Sequence, residues 1–479
     1  MKRCLLFSLL LVVAACGAQP IPDSIRSAID AGNFTAAQNA LHNFVASAPV
    51  ADTRVLAMQF EIERLDRIRK DFSRTEADVL KSLRKYYPGI TSNDLRTFEA
   101  DRSLEMRVID GEKRYFNNAV PNLFRVNKEA KKLKVSVDGP AADKLDEFLS
   151  SYLPTVLAAA DARRERVLRP VDLTLSYSLT VKADAVPEGE TIRCWLPYPR
   201  ESHERQTNVR LISLSETHYV LADKAAMQRT LYTEKKAVKG EPTVFHMVIG
   251  YTSASEYFGV GAGTPSAGCV LSPDSVKEFT AERPPHIVFT PEIKRLSQSI
   301  VGGERDPLKI ARLLFEWSSA NIPWASAREY STIENIPAYC LENKHGDCGI
   351  QSLLFITLCR YNGIPAKWQS GWMLHPVEVN LHDWAEIFLD GYGWVPADQS
   401  FGIQQSADPR VKYFYLGGID AYRLIVNDDF SRDLFPAKVF PRSETVDFQR
   451  GEVEWRGGNL YFDKWSYNMK VGYRDHAEK

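Results

Sequence analysis

The sequence predicts an α+β protein built from several domains. Three observations support this fold class. One-face apolar stripes of helical period dominate residues 22–169. Residues 171–181 alternate strictly between apolar and polar side chains, as strands do. Residues 345–401 then show a helix followed by two strands, and 479 residues are enough for two to four domains.

Residues 1–15 have the features of an export signal. Two basic residues precede the apolar run 5–15, which is too short to span a bilayer. Residues 13–17, Val-Ala-Ala-Cys-Gly, resemble a bacterial lipoprotein processing site, so Cys16 would become the lipidated first residue of the mature chain. The alternative is an ordinary secretory signal cleaved nearby. We expect an exported protein held by the lipid on Cys16 at a bacterial cell membrane, on the periplasmic face or the cell surface.

The composition is that of a globular protein and argues against a nucleic-acid partner. Hydrophobic residues make up 44% of the chain and charged residues 25%, and the net charge is −1. A nearly neutral chain has no predicted surface for a polyanion. The sequence contains no Cys-x-x-Cys spacing and no Gly-rich phosphate loop. We therefore expect no cofactor and no metal.

The cysteine count predicts at least one unpaired thiol. Of seven cysteines, Cys4 lies in the signal and Cys16 would carry lipid. The remaining five are Cys194, Cys269, Cys340, Cys348 and Cys359. An odd number in an exported protein leaves one thiol free, and Cys348 is the natural candidate. The pairing of the other four stays open.

The chain before residue 283 is predicted to form two domains without chemistry of their own. Residues 16–169 are mainly helical, with one hairpin whose turn is Asp110 and Gly111. Their charges suit a solvated surface or, alternatively, a partner-docking surface. Residues 170–282 form a β-sandwich-like domain. The small residues at 259–268 suit a linker or a lid.

The remainder is divided into a core at 283–432 and a C-terminal β extension at 433–479. In the core, apolar residues recur on one face of a helix and end before Gly363. The helix starts near residues 346–347, which puts Cys348 in its first turn. Free backbone N–H groups there favour a thiolate, although Asp347 acts mildly against this. The alternative is a small buried cysteine that happens to begin a helix.

Two strand patterns follow the cysteine helix. His382 opens an alternating run, Asp390 and Gly391 indicate a turn, and the return strand ends at Asp398. The spacing is 34 residues from Cys348 to His382 and 16 from His382 to Asp398. A thiol, an imidazole that takes its proton and an acid that fixes the imidazole tautomer form a nucleophilic triad.

This segment resembles the core of the transglutaminase-like superfamily, with its papain-like Cys-His-Asp fold. The matching residues are Gly346, Asp347, Cys348, Gly363, Ile364, Pro365, Ala366, Ser370, Gly371, Trp372, His382, Trp384, Glu386, Gly393, Trp394, Val395, Pro396 and Asp398. The resemblance implies that Cys348 is the nucleophile, His382 the base and Asp398 the orienting acid. With Cys16 under lipid, the chain would be a bacterial lipoprotein member of the superfamily.

The contact between His382 and Asp398 depends on the hairpin register. If residues 391–393 form the loop, Asp398 lies opposite Glu386, four residues and about 13 Å along the strand from His382. A bulge or a different strand pairing would then have to close the gap. His345 and His375 are rival bases; the first lies close to the helix start, and the second precedes a proline in a loop.

An oxyanion donor is expected between residues 324 and 339. Trp324, Tyr330 and Tyr339 each offer a side-chain donor opposite the backbone N–H of Cys348. We favour Trp324, although each of the three side chains could equally serve only in packing.

The resemblance implies thiol acyl transfer on a peptide or carboxamide bond of a protein or peptide substrate. The superfamily includes transglutaminases, cysteine peptidases and deglycosylating amidases. We favour hydrolysis over transamidation because water is abundant and no feature of the sequence selects an amine. The alternative is a binding or scaffold lipoprotein with a degenerate catalytic fold, against which all three triad positions are occupied.

Overall fold

The computed structural model describes residues 21–49, 52–260 and 269–475. The expected export signal and Cys16 lie outside the described residues, as does most of the predicted linker at 259–268. None of the helices in the described part of the chain combines the length and the apolar composition that crossing a bilayer requires.

The first third of the chain is helical with one hairpin, as the sequence predicts. Its helices are α1 Asp23–Asp30, α2 Phe34–Ser47, α3 Arg54–Asp71, α4 Glu76–Leu83, α5 Ser92–Ala100, α6 Ala119–Val126, α7 Lys128–Asp138 and α8 Lys144–Arg163. Strand β1 Met106–Ile109 pairs antiparallel with β2 Glu112–Tyr115. The turn residues Asp110 and Gly111 both have positive φ, 50° and 84°, which such tight hairpin turns require.

The long helix α8 packs apart from the other helices of this region. The helices before it share a core of their own that extends from Ile25 to Ala130. The buried side chains of α8, among them Leu149 and Leu153, belong to the much larger core of the rest of the chain. The start of α8 is thereby fixed against the body that contains Cys348.

The second region consists of antiparallel strands. They are β3 Val167–Val181, β4 Thr191–Pro197, β5 Gln206–Leu214, β6 Tyr219–Leu221, β7 Thr230–Lys236 and β8 Thr243–Tyr257. The alternation that predicts a strand at 171–181 continues in β3 as buried odd-numbered side chains.

Helices and strands mix in the third region. The helices are α9 Pro273–Thr280, α10 Pro291–Val301, α11 Pro307–Asn321, α12 Ile336–Asn343, α13 Cys348–Tyr361 and α14 Pro409–Lys412. A 3₁₀ turn covers Tyr330–Thr332. The strands are β9 Ala366–His375, β10 Glu378–Leu389, β11 Gly393–Ala397, β12 Gly418–Ile419, β13 Arg423–Asn427, β14 Glu452–Trp455, β15 Gly458–Leu460 and β16 Trp465–Asp475.

The strands form three larger antiparallel sheets. One has the order β11-β10-β9-β13 and lies beside α13. A second has the order β12-β8-β3-β16, with β5 added on β8. The third has the order β15-β14-β4-β7-β6. The C-terminal strands β14, β15 and β16 therefore complete the sheets of the second region.

The N-terminal helices dock on the segment that precedes α13. Asn122 exchanges two hydrogen bonds with the backbone of Ser326, at 2.8 and 2.9 Å. Asp71 accepts from the backbone N–H of Glu329 at 3.0 Å, and Tyr339 donates to Glu105 at 2.9 Å. The first domain thus supports a loop that lies next to the cysteine helix.

Candidate active site

Cys348 is the first residue of α13, as the sequence predicts. The side chain of Asp347 caps this helix by accepting from the backbone N–H of Ile350 at 3.1 Å. The helix is buried from Cys348 to Arg360, and Gly363 follows its end in the left-handed region. The sulfur therefore lies at a fixed, buried helix N-terminus.

His382 and Asp398 are in direct contact. The Nε2 atom of His382 lies 2.8 Å from Oδ2 of Asp398, and both side chains are buried. The sequence-based register was wrong by one residue in the loop: Leu389 pairs with Gly393, so the loop is residues 390–392. Continuing this register puts Asp398 opposite Trp384, and a residue two positions away on the partner strand is a diagonal neighbour within side-chain reach. No bulge is needed.

A buried arginine holds the far side of Asp398. Nη1 of Arg423 lies 3.0 Å from Oδ2 of Asp398, and Nε of Arg423 donates to Asp420 at 2.9 Å. Burial alone would raise the pKa of Asp398, but His382 and Arg423 together hold it below its ordinary value. Burial lowers the pKa of His382 and the Asp398 carboxylate opposes this shift, so the imidazole is neutral at neutral pH.

Cys348 and His382 line the same cavity, of about 500 Å³. The start of α8, the loop at 327–330, the start of β10, the segment 444–450 and the loop at 400–404 also line it. Its carboxylates are Asp143, Asp146, Glu329, Asp347, Glu378, Asp383, Glu444 and Asp447, and its guanidinium groups are Arg328 and Arg450. Acidic groups therefore dominate the cavity beside the thiol.

The surroundings of the Cys348 thiol raise its pKa, whereas its position at a helix N-terminus alone would lower it. The thiol donates a hydrogen bond to Oδ2 of Asp383 at 3.3 Å. Burial, followed by the charges of Asp383 and Asp347, raises the pKa of Cys348 well above its ordinary value. The effect of burial and of two nearby carboxyl groups on the thiol pKa is therefore larger than the opposite effect of the helix N-terminus. The site in this state holds a thiol and a neutral imidazole.

A comparison with known families identifies the domain. The model of the transglutaminase-like superfamily matches residues 294–399, a segment that contains Cys348, His382 and Asp398. Residues 294–399 belong to the transglutaminase-like superfamily. The resemblance seen in the motif residues is thereby confirmed for this domain.

Three further similarities each cover about half to two thirds of the chain. An uncharacterized protein of Haemophilus influenzae is 27% identical over 266 residues, which is 48% of this chain and 68% of that protein. A candidate cysteine protease from Cytophaga hutchinsonii is 14% identical, with a TM-score of 0.43 over 65% of this chain and 93% of its own. The periplasmic domain of TgpA from Pseudomonas aeruginosa is 13% identical, with a TM-score of 0.27 over 54% of this chain and 94% of its own.

The three oxyanion candidates occupy different places in the transglutaminase-like domain. Trp324 lies at the cavity, 42% exposed, with the guanidinium of Arg125 over its ring. The Tyr330 hydroxyl lies deeper, where it donates to Asp347 at 2.8 Å. Tyr339 points to Glu105 instead. Two of the three, Trp324 and Tyr330, therefore line the cavity that contains the thiol.

The rival histidines lie elsewhere. His375 is fully buried, with Nε2 3.0 Å from Asp420. His345 is buried edge-on to Tyr339. Of the histidines in the described residues, His382 is the one among the cavity-lining side chains.

Several site residues carried little signal in the sequence. Asp383 has no motif signal of its own, because it lies between the motif residues His382 and Trp384. Arg423 begins the otherwise largely apolar strand β13, and a charged residue in such a strand indicates a buried partner. Arg450 lies in a stretch with no motif at all, yet it pairs with Glu329 across the cavity.

Four further cysteines lie in the described part of the chain, apart from the candidate site. Cys194, Cys340 and Cys359 are buried free thiols, and Cys269 is an exposed one. Within the ranges that the structure describes, no group of three or more histidine, cysteine, aspartate or glutamate side chains is arranged to hold a metal ion.

Proposed function

We propose that the transglutaminase-like domain is a thiol hydrolase, a cysteine peptidase or amidase that cleaves peptide or carboxamide bonds. One observation carries the proposal: a histidine fixed by Asp398 at 2.8 Å and a helix-terminal thiol line one cavity. A nucleophile, a base and an orienting acid are the groups that this chemistry requires.

In the proposed reaction, His382 acts through Nδ1, because Nε2 is occupied by Asp398. Nδ1 takes the proton of the Cys348 thiol as sulfur bonds to the carbonyl carbon. The imidazolium then gives that proton to the leaving nitrogen, the C–N bond breaks and a thioester remains. Water, deprotonated by His382, attacks the thioester and releases the acid and the thiol.

The residues around the thiol would stabilise the intermediate. The first N–H groups of a helix have no intrahelical acceptor, so the start of α13 can donate to the oxyanion. Trp324 stays our preferred side-chain donor, because its ring borders the cavity and is partly exposed. Asp398, held by Arg423, keeps the imidazole in the tautomer that presents Nδ1 without a proton.

Two other functions have an observation in their favour. The acidic lining of the cavity favours an amine as acyl acceptor, and therefore transamidation. The raised pKa of Cys348 favours a binding or scaffold protein whose thiol is inert. We favour hydrolysis because the complete His382–Asp398 pair has no evident use in a scaffold, and water needs no binding site.

One experiment separates the three functions. Wild-type protein, Cys348→Ala and Cys269→Ala are incubated with a peptide library and a tagged primary amine, and products are identified by mass spectrometry. We expect cleaved peptides with wild type and Cys269→Ala, and none with Cys348→Ala. Tags on glutamine side chains would instead establish transamidation. No product with any of the proteins would support the scaffold.

We also propose that lipid on Cys16 anchors the protein at a bacterial membrane, with the domain on the exported side. The support is the sequence of residues 1–17. Cys16→Ser should move the protein from the membrane fraction to the soluble fraction. Unchanged membrane association would contradict the anchor.

A further inference from the structure

The thiol of Cys348 is hydrogen-bonded to Asp383, the residue that follows the proposed base His382 in the chain. Sγ donates to Oδ2 of Asp383 at 3.3 Å, and Asp383 follows His382 directly on β10. A hydrogen bond from sulfur to a carboxylate keeps the hydrogen on sulfur. In the structure the acceptor of this hydrogen bond is therefore Asp383, and not the proposed base His382.

Asp383 is fixed in this position by its neighbours. Its Oδ1 accepts from Nε2 of Gln449 at 2.7 Å, and the same Nε2 donates to the backbone oxygen of His382 at 2.9 Å. The Tyr330 hydroxyl lies 3.4 Å from Oδ2. Asp383 is 2% exposed. The carboxyl thus has little freedom to turn away from the sulfur.

The close approach also depends on a glycine. A Cβ on Gly349 would lie 2.8 Å from Oδ2 of Asp383 and 2.2 Å from the Tyr330 hydroxyl. Any larger residue would force these two groups away from the start of α13. The sequence therefore provides the space in which the Asp383 carboxyl reaches the sulfur.

Each element packed against Asp383 contributes titratable or charged groups to its surroundings. Helix α13 and its cap contribute Cys348 and Asp347, the 3₁₀ turn contributes Tyr330, and β10 itself contributes His382. The segment 444–450 contributes Glu444, Asp447 and Arg450, and the last of these is paired with Glu329. Burial, followed by the charges of Asp447 and Asp347, raises the pKa of Asp383 well above its ordinary value. Like charges in a buried site oppose one another, so an ionised Asp383 carboxyl and a Cys348 thiolate would each disfavour the other.

We propose that Asp383 is a further catalytic residue, which holds the hydrogen on the Cys348 sulfur in the free protein until a substrate displaces the thiol towards His382. The proposal rests on the nucleophilic role of Cys348 under the proposed function. No proton is gained or lost by Asp383: the hydrogen stays on sulfur in the free state and passes to Nδ1 of His382 in the attack. Reactivity of the free thiol is suppressed, and the nucleophile forms in the presence of substrate.

The test is the pH profile of alkylation of Cys348 by iodoacetamide in the full-length protein. The extent of modification at each cysteine is read by peptide mass spectrometry. The midpoint of the profile reports the thiol pKa, whereas the absolute rate also reflects burial, so the midpoint is compared. The exposed thiol of Cys269 serves as an internal reference.

In wild type we expect the midpoint for Cys348 to lie above that for Cys269. Asp383→Asn keeps an oxygen for Gln449 and offers an N–H to the sulfur. It should lower the Cys348 midpoint by about one pH unit or more and raise the rate at pH 7 about tenfold. Asp390→Asn, in the exposed turn of the same hairpin, should leave the profile unchanged.

Two results would overturn the inference. One is a wild-type midpoint for Cys348 at or below that of Cys269, which needs no variant and decides the matter even where Asp383→Asn does not fold. The other is a folded Asp383→Asn protein with an unchanged or higher midpoint. Alkylation requires no substrate. These two outcomes can therefore be interpreted even if the hydrolase assay gives no product.

Discussion

His382 lies next to one carboxylate in the chain and against another in space, and the two have opposite effects. Asp398, charged and paired with Arg423, orients the imidazole as an acceptor. Asp383 bonds to the thiol and opposes its ionisation. At the scale of single residues, the proposed site therefore combines a neutral imidazole, which can accept a proton, with a thiol that is still protonated.

Replacing Asp398 by asparagine should keep the fold but lower turnover by on the order of a thousandfold or more, because an amide favours the wrong imidazole tautomer. Turnover is measured on the peptide identified in the library experiment, and folding by circular dichroism. The exposed Asp390→Asn is the matched control. Unchanged turnover in Asp398→Asn would remove this residue from the mechanism.

Arg423 is the buried cation between Asp398 and Asp420. Arg423→Met leaves both carboxylates without it and should lower the free energy of unfolding by about 3–5 kcal/mol. Arg410→Met removes an exposed ion pair with Asp161 and should have a much smaller effect. Urea denaturation compares the two. Equal losses would show that the buried contacts of Arg423 contribute nothing special.

At the scale of elements, the start of α13 is where three segments meet. The helix brings Cys348, the 3₁₀ turn brings the Tyr330 hydroxyl, and β10 brings Asp383. Gly349 makes this meeting possible, because its missing side chain leaves the volume that the hydroxyl and the carboxyl occupy. The geometry of the thiol therefore depends on packing between elements as well as on the helix.

Gly349→Ala should lower the free energy of unfolding by about 1–3 kcal/mol, since its Cβ overlaps the Tyr330 hydroxyl and the site must shift. Thermal unfolding measures the loss. Gly303→Ala is the control, because a Cβ there meets no atom within 4 Å. A Gly349→Ala protein as stable as Gly303→Ala would mean that the groups around Gly349 can move aside without a loss in the free energy of unfolding.

At the scale of the whole molecule, distant parts of the chain complete one cavity. Helix α8, the loop supported by the N-terminal helices and the segment 444–450 all contribute to its lining. Burial, with smaller contributions from Glu329 and Asp347 and opposed by Arg450, raises the pKa of Asp447 to about 7. Burial likewise raises the pKa of Asp347 to about 6, against hydrogen bonds from Tyr330 and Ile350.

The raised pKa values of Asp447 and Asp347 predict how the free energy of unfolding changes with pH. A carboxyl whose pKa is higher in the folded protein stabilises it fully below about pH 4, the unfolded value, and this stability is lost by about pH 7. The free energy of unfolding should therefore fall between these limits. Urea titrations at several pH values should show a flatter curve for Asp447→Asn than for wild type or Asp390→Asn. Parallel curves would exclude Asp447 as a contributor.

Local patterns in the sequence are enough to predict the helix and strands of the site and the order of its chemical groups. A helical stripe ending at Gly363 placed Cys348 in a first turn, and alternation placed His382 on a strand and Asp398 after its partner. Such signals are local: periodicity and turn residues act over a few positions. The superfamily assignment followed from the same local motif.

The contacts and the charge states of these groups depend on the three-dimensional packing of the chain. The register of the β10–β11 hairpin, one residue from the expected loop, brought Asp398 to His382. Asp383, the first of the two carboxyl groups that oppose ionisation of the thiol, lies 35 residues from Cys348 in the chain. The pKa of a buried group depends on the charges and the solvent around it in space, and a sequence pattern does not contain these distances.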